Sequence, residues 1–311
     1  MKYFFTIVNY NYVLRGLALY KSFEKIRKKD EKFIVVTIDK KSYQILKKQK
    51  SLISIKSEEF ECFDLKKIKK ERKINEYCWT LKPFGIDYIF NHFLDSKWVT
   101  YLDSDSMIYR SFSQEYKKNY DVILTPHRCQ TAYFKEIENN VGNFNAGFIA
   151  FKNTINGKNV LNFWKKKCLN WCFDIPDKGR YADQKYLNDI PKKFNKIQTK
   201  PSVGLNLAPW NIATNKKTLE ISKKLQKSLS FYHMQGLKIF NKNIYNIYSD
   251  DFLVKSEVFE NIYKPYISLL KNIYFEIKKD NKNFKIQNEF SFSLKFVIKK
   301  IIFGLKNLKI I

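Results

Sequence analysis

Two carboxylates one residue apart follow a strongly apolar segment near the middle of the chain. The stretch VTYLDSDSMIY carries them as Asp103 and Asp105. Alternate residues of an extended chain point the same way, so both side chains can face one point. Two anions at one point suit a hard divalent cation that carries a phosphorylated ligand. An apolar strand can also end in acids because it reaches water, so the pair needs support from the elements that position it.

The segments around this pair alternate between strand-like and helix-like patterns. Strands are predicted at KYFFTIV, KFIVVTID, LISIK, KWVTYLD, YDVILT and GFIAF. Helices are predicted at YVLRGLALYKSFEKI, SYQILKKQK and NEYCWTLKPFGIDYIFNHF, and Pro83 is expected to restart or kink the last of them. This order predicts an α/β sheet with helices on both faces. Ligands bind such sheets beyond the carboxyl ends of the strands, which is where Asp103 and Asp105 lie.

The pattern loosens after Asn153. A helix is predicted at NVLNFWKKKCLNWCF and a short one at YADQKYLNDI, while SVGLNLAPWNI and LSFYH are predicted to be extended. From about residue 254 the sequence is helical in pattern and basic. We therefore predict a main domain over residues 1–250 and a helical extension over residues 251–311.

The composition is that of a folded and strongly basic protein. Hydrophobic residues make up 44% of the 311 residues and aromatic residues 17%, which excludes a disordered chain. The formal net charge of +28 favours anionic partners such as nucleotides, nucleic acid or acidic membranes. Five cysteines without disulfide or zinc-site spacing are predicted to be buried thiols. The apolar run at the start is too short for a signal peptide and no run is long enough to span a bilayer, so a cytoplasmic protein is predicted.

Several separated motifs carry a family resemblance. In chain order they are VNYNYVLRGLALYKSF, CWTLKPF, VTYLDSDSMIY, LTPHR with GNFNAGFIAF, YADQKYLNDIP, PSVGLNLAPWNI and FYHMQGLKIF. Over roughly residues 3–240 the chain resembles the glycosyltransferases of the GT-A fold, in particular the glycogenin-like, family-8-like bacterial group. The resemblance implies a Rossmann-like mixed sheet flanked by helices, here with a basic helical appendage at the carboxyl end. It also implies sugar transfer from a nucleotide-diphosphate sugar, with UDP as the expected nucleotide and retention of configuration.

The resemblance assigns a metal site. Asp105 would bind the cation directly, Asp103 would bind the metal or the ribose, and His233 would be the third ligand. Mn²⁺ suits such mixed oxygen and nitrogen ligands, and Mg²⁺ is the alternative. Gly236 completes the H-x-x-G segment, and Lys238 would contact the diphosphate. Relatives place that lysine one residue later and follow it with Pro-Trp, so this chain departs from the pattern there.

The resemblance also assigns residues to the nucleotide. Asn9 and Tyr12 belong to the opening loop that holds the base in relatives, and Tyr12 would stack on the base. Lys82 would supply a cation against phosphate or sugar. Packing of Tyr12 at a helix start and a solvated Lys82 are the structural alternatives.

Further motif residues would contact the sugars. Asn145 would hydrogen-bond sugar hydroxyls, and Gly147 would let the backbone approach a ligand closely. Asp183 would accept hydrogen bonds from donor hydroxyls, with Gln184 near the anomeric carbon. The alternative for Asp183 is an N-cap on a surface helix. Trp210 would stack on a sugar or pack in the core.

The last twenty residues, FSLKFVIKKIIFGLKNLKII, show an amphipathic helical pattern without an acid. An apolar stripe beside lysines suits the surface of an anionic bilayer, and a helix docked on the protein core is the alternative. Membrane attachment would place the protein at the inner face of the cell membrane, near a lipid-linked or surface-glycan acceptor. The stripe comprises Leu294, Val297, Ile298, Ile301, Ile302, Leu305 and Leu308, and the lysines off it are Lys295, Lys299, Lys306 and Lys309.

Three other classes of protein remain as alternatives. A nucleic-acid-binding protein would account for the charge, but no known module is recognisable and nucleic acid is not a predicted partner. A sugar nucleotidyltransferase would need a Gly-rich, Arg-containing loop after the first strand, and VNYNYVLRG does not provide one. A non-catalytic relative of the transferases is compatible with the sequence.

Overall fold

The computed structural model describes residues 1–214, 218–249, 251–286 and 307–310. Their strands are β1 (Lys2–Val8), β2 (Glu31–Thr37), β3 (Ile53–Lys56), β4 (Trp98–Leu102), β5 (Ser106–Ile108), β6 (Val122–Pro126), β7 (Phe144–Lys152), β8 (Ile197–Gln198), β9 (Thr218–Leu219), β10 (Phe231–His233), β11 (Lys238–Ile239), β12 (Ile244–Asn246), β13 (Leu253–Val254) and β14 (Leu308–Ile310). The α-helices are α1 (Val13–Glu24), α2 (Lys40–Leu46), α3 (Phe63–Glu71), α4 (Ile74–His92), α5 (Ala132–Val141), α6 (Ile155–Asn170), α7 (Ile190–Lys193), α8 (Pro209–Ile212), α9 (Lys223–Ser228), α10 (Ser256–Val258) and α11 (Lys264–Asp280). Short 3₁₀ helices cover Tyr10–Tyr12, Ser57–Glu59, Ser113–Glu115 and Lys185–Asp189, and a π-helix covers Phe259–Tyr263.

A mixed sheet of seven strands lies at the centre, in the order β3-β2-β1-β4-β7-β6-β8. Strands β3, β2, β1 and β4 run parallel, whereas β7 is antiparallel to both of its neighbours. The predicted α/β class with a mixed sheet is therefore confirmed. Because β4 is a parallel strand at the middle of the sheet, its carboxyl end opens onto the edge where ligands bind in such folds.

Helices cover both faces of this sheet, as the sequence predicts. Phe4 and Val8 of β1 point into an apolar cluster shared with α1, and Phe5 and Ile7 point into a second cluster shared with α4 and α6. The alternation follows from the period of two along a strand. Burial on both faces makes β1 almost continuously apolar, which is the expected pattern of a central parallel strand.

The helix before β4 is a single element, although Pro83 lies inside it. The prediction of a fresh start at this residue is therefore wrong. Proline removes one backbone donor, but Leu81 and Ile86 on either side are fully buried in the same apolar cluster, which holds both halves against the sheet. The Glu76 side chain also accepts a hydrogen bond from the Lys73 amide and so caps the amino end of the helix.

Two segments of the second half differ from their predictions. The helix expected over 181–190 is a 3₁₀ helix over Lys185–Asp189 only, followed by the short α7. The segment SVGLNLAPWNI, expected to be extended, contains the single turn α8, because Pro209 suits a first helical turn and the Asn211 side chain accepts from the Ala208 amide.

The prediction that all five cysteines are buried thiols is not met. All five are free, but Cys62 is exposed.

The carboxyl-terminal residues pack onto the same body. Ile267, Leu270 and Ile273 of α11 lie in the cluster that also contains α1. The boundary at residue 250 stays a prediction. Within the described parts of the chain, no helix combines the length and apolar character that crossing a membrane requires.

The predicted amphipathic tail helix lies mostly outside the described residues, but its last turn does not. Leu308–Ile310 form β14, which is antiparallel to β12. The helical assignment of Leu308 and Lys309 is therefore wrong. The buried Asn307 side chain donates to the carbonyls of Ser249 and Phe252, and this anchor places the following residues beside a strand edge that supplies backbone partners.

Candidate active site

The carboxylates predicted to act together lie between two strands. Asp103 follows the last residue of β4, and Asp105 precedes the first residue of β5. Strand β10 pairs antiparallel with β5, so that His233 stands opposite Ser106. The Met234 amide also donates to the Asp105 carbonyl at 2.7 Å. This pairing brings together side chains that are 128 residues apart in sequence.

One ligand atom from each of Asp103, Asp105 and His233 lies within 4.8 Å of the others. The Nε2 atom of His233 is 3.2 Å from Asp105 Oδ1 and 3.8 Å from Asp103 Oδ2. Two carboxylate oxygens and one imidazole nitrogen fit Mn²⁺ well and Mg²⁺ acceptably. The three residues can therefore hold the divalent cation that the resemblance implies.

The charges of this group are strongly coupled. Burial alone would raise the pKa of Asp105, but the adjacent His233 outweighs burial and lowers that pKa to about 2. Burial alone would lower the pKa of His233, but the charges of Asp105 and Asp103 outweigh it and raise that pKa. Ligation requires the neutral imidazole, so a cation that binds here competes with protonation of His233.

Gly147 explains how a third strand approaches this group. A Cβ atom at this position would lie 2.6 Å from Asn145 Oδ1, 2.8 Å from Asp103 Oδ2 and 3.0 Å from His233 Nδ1. Any side chain at residue 147 would therefore displace two candidate ligands. Glycine keeps β7 close to them.

Lys82 lies between two carboxylates on the inner side of the cation site. Its Nζ is 3.3 Å from Asp103 Oδ1, 3.1 Å from Asp183 Oδ2 and 3.3 Å from the Ala146 carbonyl. Burial would lower the pKa of Lys82, but Asp103 and Asp183 outweigh it and raise that pKa. The solvated alternative for Lys82 is excluded by its burial, and contact with phosphate or sugar stays a prediction.

Asp183 is buried beside Lys82 and is not the cap of a surface helix. Burial raises the pKa of Asp183, Lys82 opposes this shift, and the charge of Asp103 adds to it. The Asp183 carbonyl accepts a hydrogen bond from Trp164 Nε1 at 2.7 Å, which fixes the backbone. Its neighbour Gln184 lines the cleft, with Oε1 3.5 Å from Asn145 Nδ2.

Asn145 is held in one orientation by its neighbours. Its Oδ1 accepts from the Gly147 amide at 2.8 Å and from Asn206 Nδ2 at 3.1 Å. The other end of the amide therefore faces His127, whose Nε2 lies 3.4 Å from Asn145 Nδ2. Burial lowers the pKa of His127 to about 4, so this imidazole is neutral at pH 7.

Asn9 also lines the cleft and caps the first 3₁₀ turn by accepting from the Tyr12 amide at 3.1 Å. The Tyr12 ring is 38% exposed and lines the cleft. The Arg15 guanidinium lies 4.7 Å from the centre of that ring, and Arg15 also donates to the Leu237 carbonyl. Tyr12 therefore presents an exposed ring surface next to a buried positive charge.

Not every predicted residue reaches the cleft. Gly236 has φ +84°, and a Cβ there would lie 2.8 Å from the Tyr248 ring, so glycine is required for the turn. Lys238 is exposed on β11, outside the described lining of the cleft. Trp210 lines the cleft and also contacts the rings of His127 and His233 edge-on at 5.4 and 5.7 Å.

These side chains surround one cleft of about 600 Å³, a size that suits a nucleotide sugar. Sequence reasoning missed Tyr101, which also lines it. The signal was present, because Tyr101, Asp103 and Asp105 occupy alternate positions of one extended segment. The predicted residues that line the cleft are Asn9, Tyr12, Lys82, Asp103, Asp105, Asn145, Asp183, Gln184, Trp210 and His233.

No protein-family model matches the chain. Two proteins of Bacillus subtilis (strain 168) are similar to it, and both are described as uncharacterized. YfnF is 28% identical over 252 residues, which are 76% of this chain and 82% of YfnF. YfnD is 26% identical over 284 residues, which are 89% of this chain and 91% of YfnD.

The solved apo structure of the bifunctional glycosyltransferase WbbM is similar in fold, with a TM-score of 0.53 and 12% identity. The match covers 90% of this chain and 51% of WbbM, so the chain spans about half of that protein. At this identity the likeness shows the fold alone. The protein therefore has the mixed α/β fold of a GT-A-like glycosyltransferase, and membership of family 8 stays a prediction.

Proposed function

We propose that this protein transfers a sugar from a nucleotide-diphosphate sugar to a glycan or lipid-linked acceptor, with Mn²⁺ or Mg²⁺ as cofactor. The observation that carries the proposal is the group Asp103, Asp105 and His233 in a cleft that also contains the buried pair of Lys82 and Asp183. A bound divalent cation would act as a Lewis acid on the negative charge that develops on the departing diphosphate.

The protein residues have separate tasks in this reaction. Tyr12 and Asn9 bind the base end of the donor, and UDP is the nucleotide that we propose. Lys82 keeps two carboxylates in place within a buried site, where a fixed charge acts more strongly than in water. Neutral polar groups such as Asn145 bind sugar hydroxyls through hydrogen bonds.

Asp183 and Gln184 lie at the sugar end of this arrangement. Asp183 accepts hydrogen bonds from donor hydroxyls and orients the sugar, while Gln184 lies near the anomeric carbon. We propose retention of configuration, because the motif that carries these two residues resembles the retaining group. Product analysis by NMR of the new glycosidic bond tests the stereochemistry directly.

Thermal unfolding in the presence of nucleotide sugars tests the class and the cofactor together. One donor with Mn²⁺ is expected to raise the unfolding temperature, since a ligand that binds only the folded state stabilises it by mass action. Excess EDTA should abolish the shift, and so should His233→Ala, because both remove the cation from the diphosphate. A donor-dependent shift that persists in EDTA contradicts metal dependence, and the absence of a shift with every donor contradicts the donor class.

We also propose that the carboxyl-terminal segment attaches the protein to anionic membranes. Truncation before Phe290 is expected to abolish co-sedimentation with vesicles that contain anionic lipid, because the apolar stripe and its lysines are removed together. A second variant, full-length with Lys295→Gln and Lys299→Gln, removes only positive charge. It keeps β14, so a loss of binding in this variant cannot come from the loss of that strand. Reduced binding in both variants supports electrostatic attachment, and unchanged binding after truncation refutes it.

A further inference from the structure

The side chain of Tyr101 contacts the candidate metal ligand Asp103 directly. Its hydroxyl donates to Asp103 Oδ1 at 2.8 Å. Tyr101 lies two residues before Asp103 at the end of β4, so both side chains project to the same side. The tyrosine is only 4% exposed. A buried hydroxyl needs a hydrogen-bond partner, and for Tyr101 this partner is the carboxylate.

The same carboxylate oxygen also forms an ion pair. Lys82 Nζ lies 3.3 Å from Asp103 Oδ1 and 4.6 Å from the centre of the Tyr101 ring. Tyr101 and Lys82 therefore meet at one oxygen of Asp103. The ring of Tyr101 also supports the lysine, so removing the hydroxyl alone would leave the packing of Lys82 in place.

The other oxygen of Asp103 faces the candidate ligand His233. Oδ2 lies 3.8 Å from His233 Nε2 and faces Gly147, where a Cβ would approach it to 2.8 Å. The two oxygens of the Asp103 carboxylate therefore have different partners. Oδ1 is held by Tyr101 and Lys82, and Oδ2 is turned toward His233.

We propose that Tyr101 is a positioning residue for the cation site: with Lys82 it fixes the rotation of the Asp103 carboxylate so that Oδ2 faces the other two ligands. This inference rests on the proposed metal-dependent function and adds a residue to it. Hydrogen bonds to a ligand orient it before the metal arrives, and their loss costs about 10–100-fold in metal affinity.

The variant Tyr101→Phe tests this role, because it removes the hydroxyl and keeps the ring. Tyr116→Phe is the matched control: its hydroxyl lies 2.8 Å from Thr100 Oγ1, and Tyr116 is outside the described lining of the cleft. Mn²⁺ alone is titrated into each full-length protein, and free Mn²⁺ is followed by electron paramagnetic resonance. We expect the Mn²⁺ dissociation constant to rise about tenfold in Tyr101→Phe and to change less than about twofold in Tyr116→Phe.

Unfolding temperatures in EDTA separate positioning from general stability. Each variant loses one partly buried hydrogen bond, so similar decreases are expected without metal. Wild-type affinity in Tyr101→Phe overturns the positioning role while the proposed function stands. Equal weakening of Mn²⁺ binding in both variants also overturns it. If the wild-type protein does not bind Mn²⁺, the proposed metal-dependent function is contradicted, and so is the role of Tyr101 that rests on it.

Discussion

Replacing Asp105 by Asn is expected to lower the rate of sugar transfer by about a hundredfold or more. The change removes a negative charge 3.2 Å from His233 Nε2 and leaves a weakly ligating amide in its place. Stabilisation of charge on a leaving group by a bound cation or a fixed donor is worth several kcal/mol in buried sites, which corresponds to factors of about 10²–10³. The rate is measured as release of nucleotide diphosphate in the presence of Mn²⁺ and acceptor.

Two measurements show whether the loss arises at the cation site. Raising the Mn²⁺ concentration should partly restore the rate of Asp105→Asn, because a weakened site still fills at higher metal concentration. Asp105→Asn should lower the unfolding temperature in EDTA, because the pair with His233 is lost, but its far-ultraviolet circular dichroism should stay that of wild type, since the Asp105 carbonyl still accepts from the Met234 amide. A variant with the wild-type rate at low Mn²⁺ would exclude Asp105 as a ligand, and so would a loss that excess Mn²⁺ leaves unchanged.

Replacing Asp183 by Asn is expected to abolish transfer and to leave nucleotide binding measurable. The carboxylate is buried 3.1 Å from Lys82, and its proposed task is to hold the donor sugar through its hydroxyls. The neutral amide keeps the shape but loses charge-assisted hydrogen bonds, which are about twice as strong as neutral ones. Because the proposed positions of the base and the diphosphate are elsewhere in the cleft, binding of UDP with Mn²⁺ should change little. Calorimetry with UDP and a turnover assay measure the two effects separately.

Asp121→Asn is the matched control for this experiment. Asp121 is also buried, lies 3.8 Å from Lys152 and accepts from Asn156 Nδ2, but it is outside the described lining of the cleft. Asp121→Asn therefore shows what the loss of a buried carboxylate beside a lysine does to turnover when the change lies outside the site. Wild-type turnover in Asp183→Asn would remove Asp183 from the reaction, and an equal loss in both variants would indicate a general defect of folding.

The local pattern of the sequence predicted the parts of the fold that depend on short-range periodicity. The alternation along β1 assigns Phe4 and Phe5 to opposite faces, and the sheet uses both faces in that way. The apolar segment that becomes β4 likewise predicts that Asp103 lies at a strand end. Such features depend on side-chain direction along a few residues, which the covalent chain itself imposes.

Local pattern was misleading where tertiary contacts overrode it. Pro83 has the sequence signature of a break, yet burial on both sides keeps α4 continuous. Leu308 continues a helical stripe, yet it lies in a strand because Asn307 anchors it beside β12. In both cases the energy of long-range packing or pairing exceeds a local preference of a few kcal/mol or less.

The sequence by itself determined which chemistry is available. It places two acids, Asp103 and Asp105, at the end of an apolar strand, within a chain whose strand and helix patterns alternate. The family resemblance named His233, Lys82 and Asp183 as site residues, but only the tertiary structure decided how these distant groups meet. Pairing of β10 with β5 placed His233 beside Asp105, and the packing of α4 on the sheet placed Lys82 between Asp103 and Asp183. His233 and Asp105 are 128 residues apart and Lys82 and Asp183 are 101 apart, and no local spacing encodes the strand register and helix packing that bring them together.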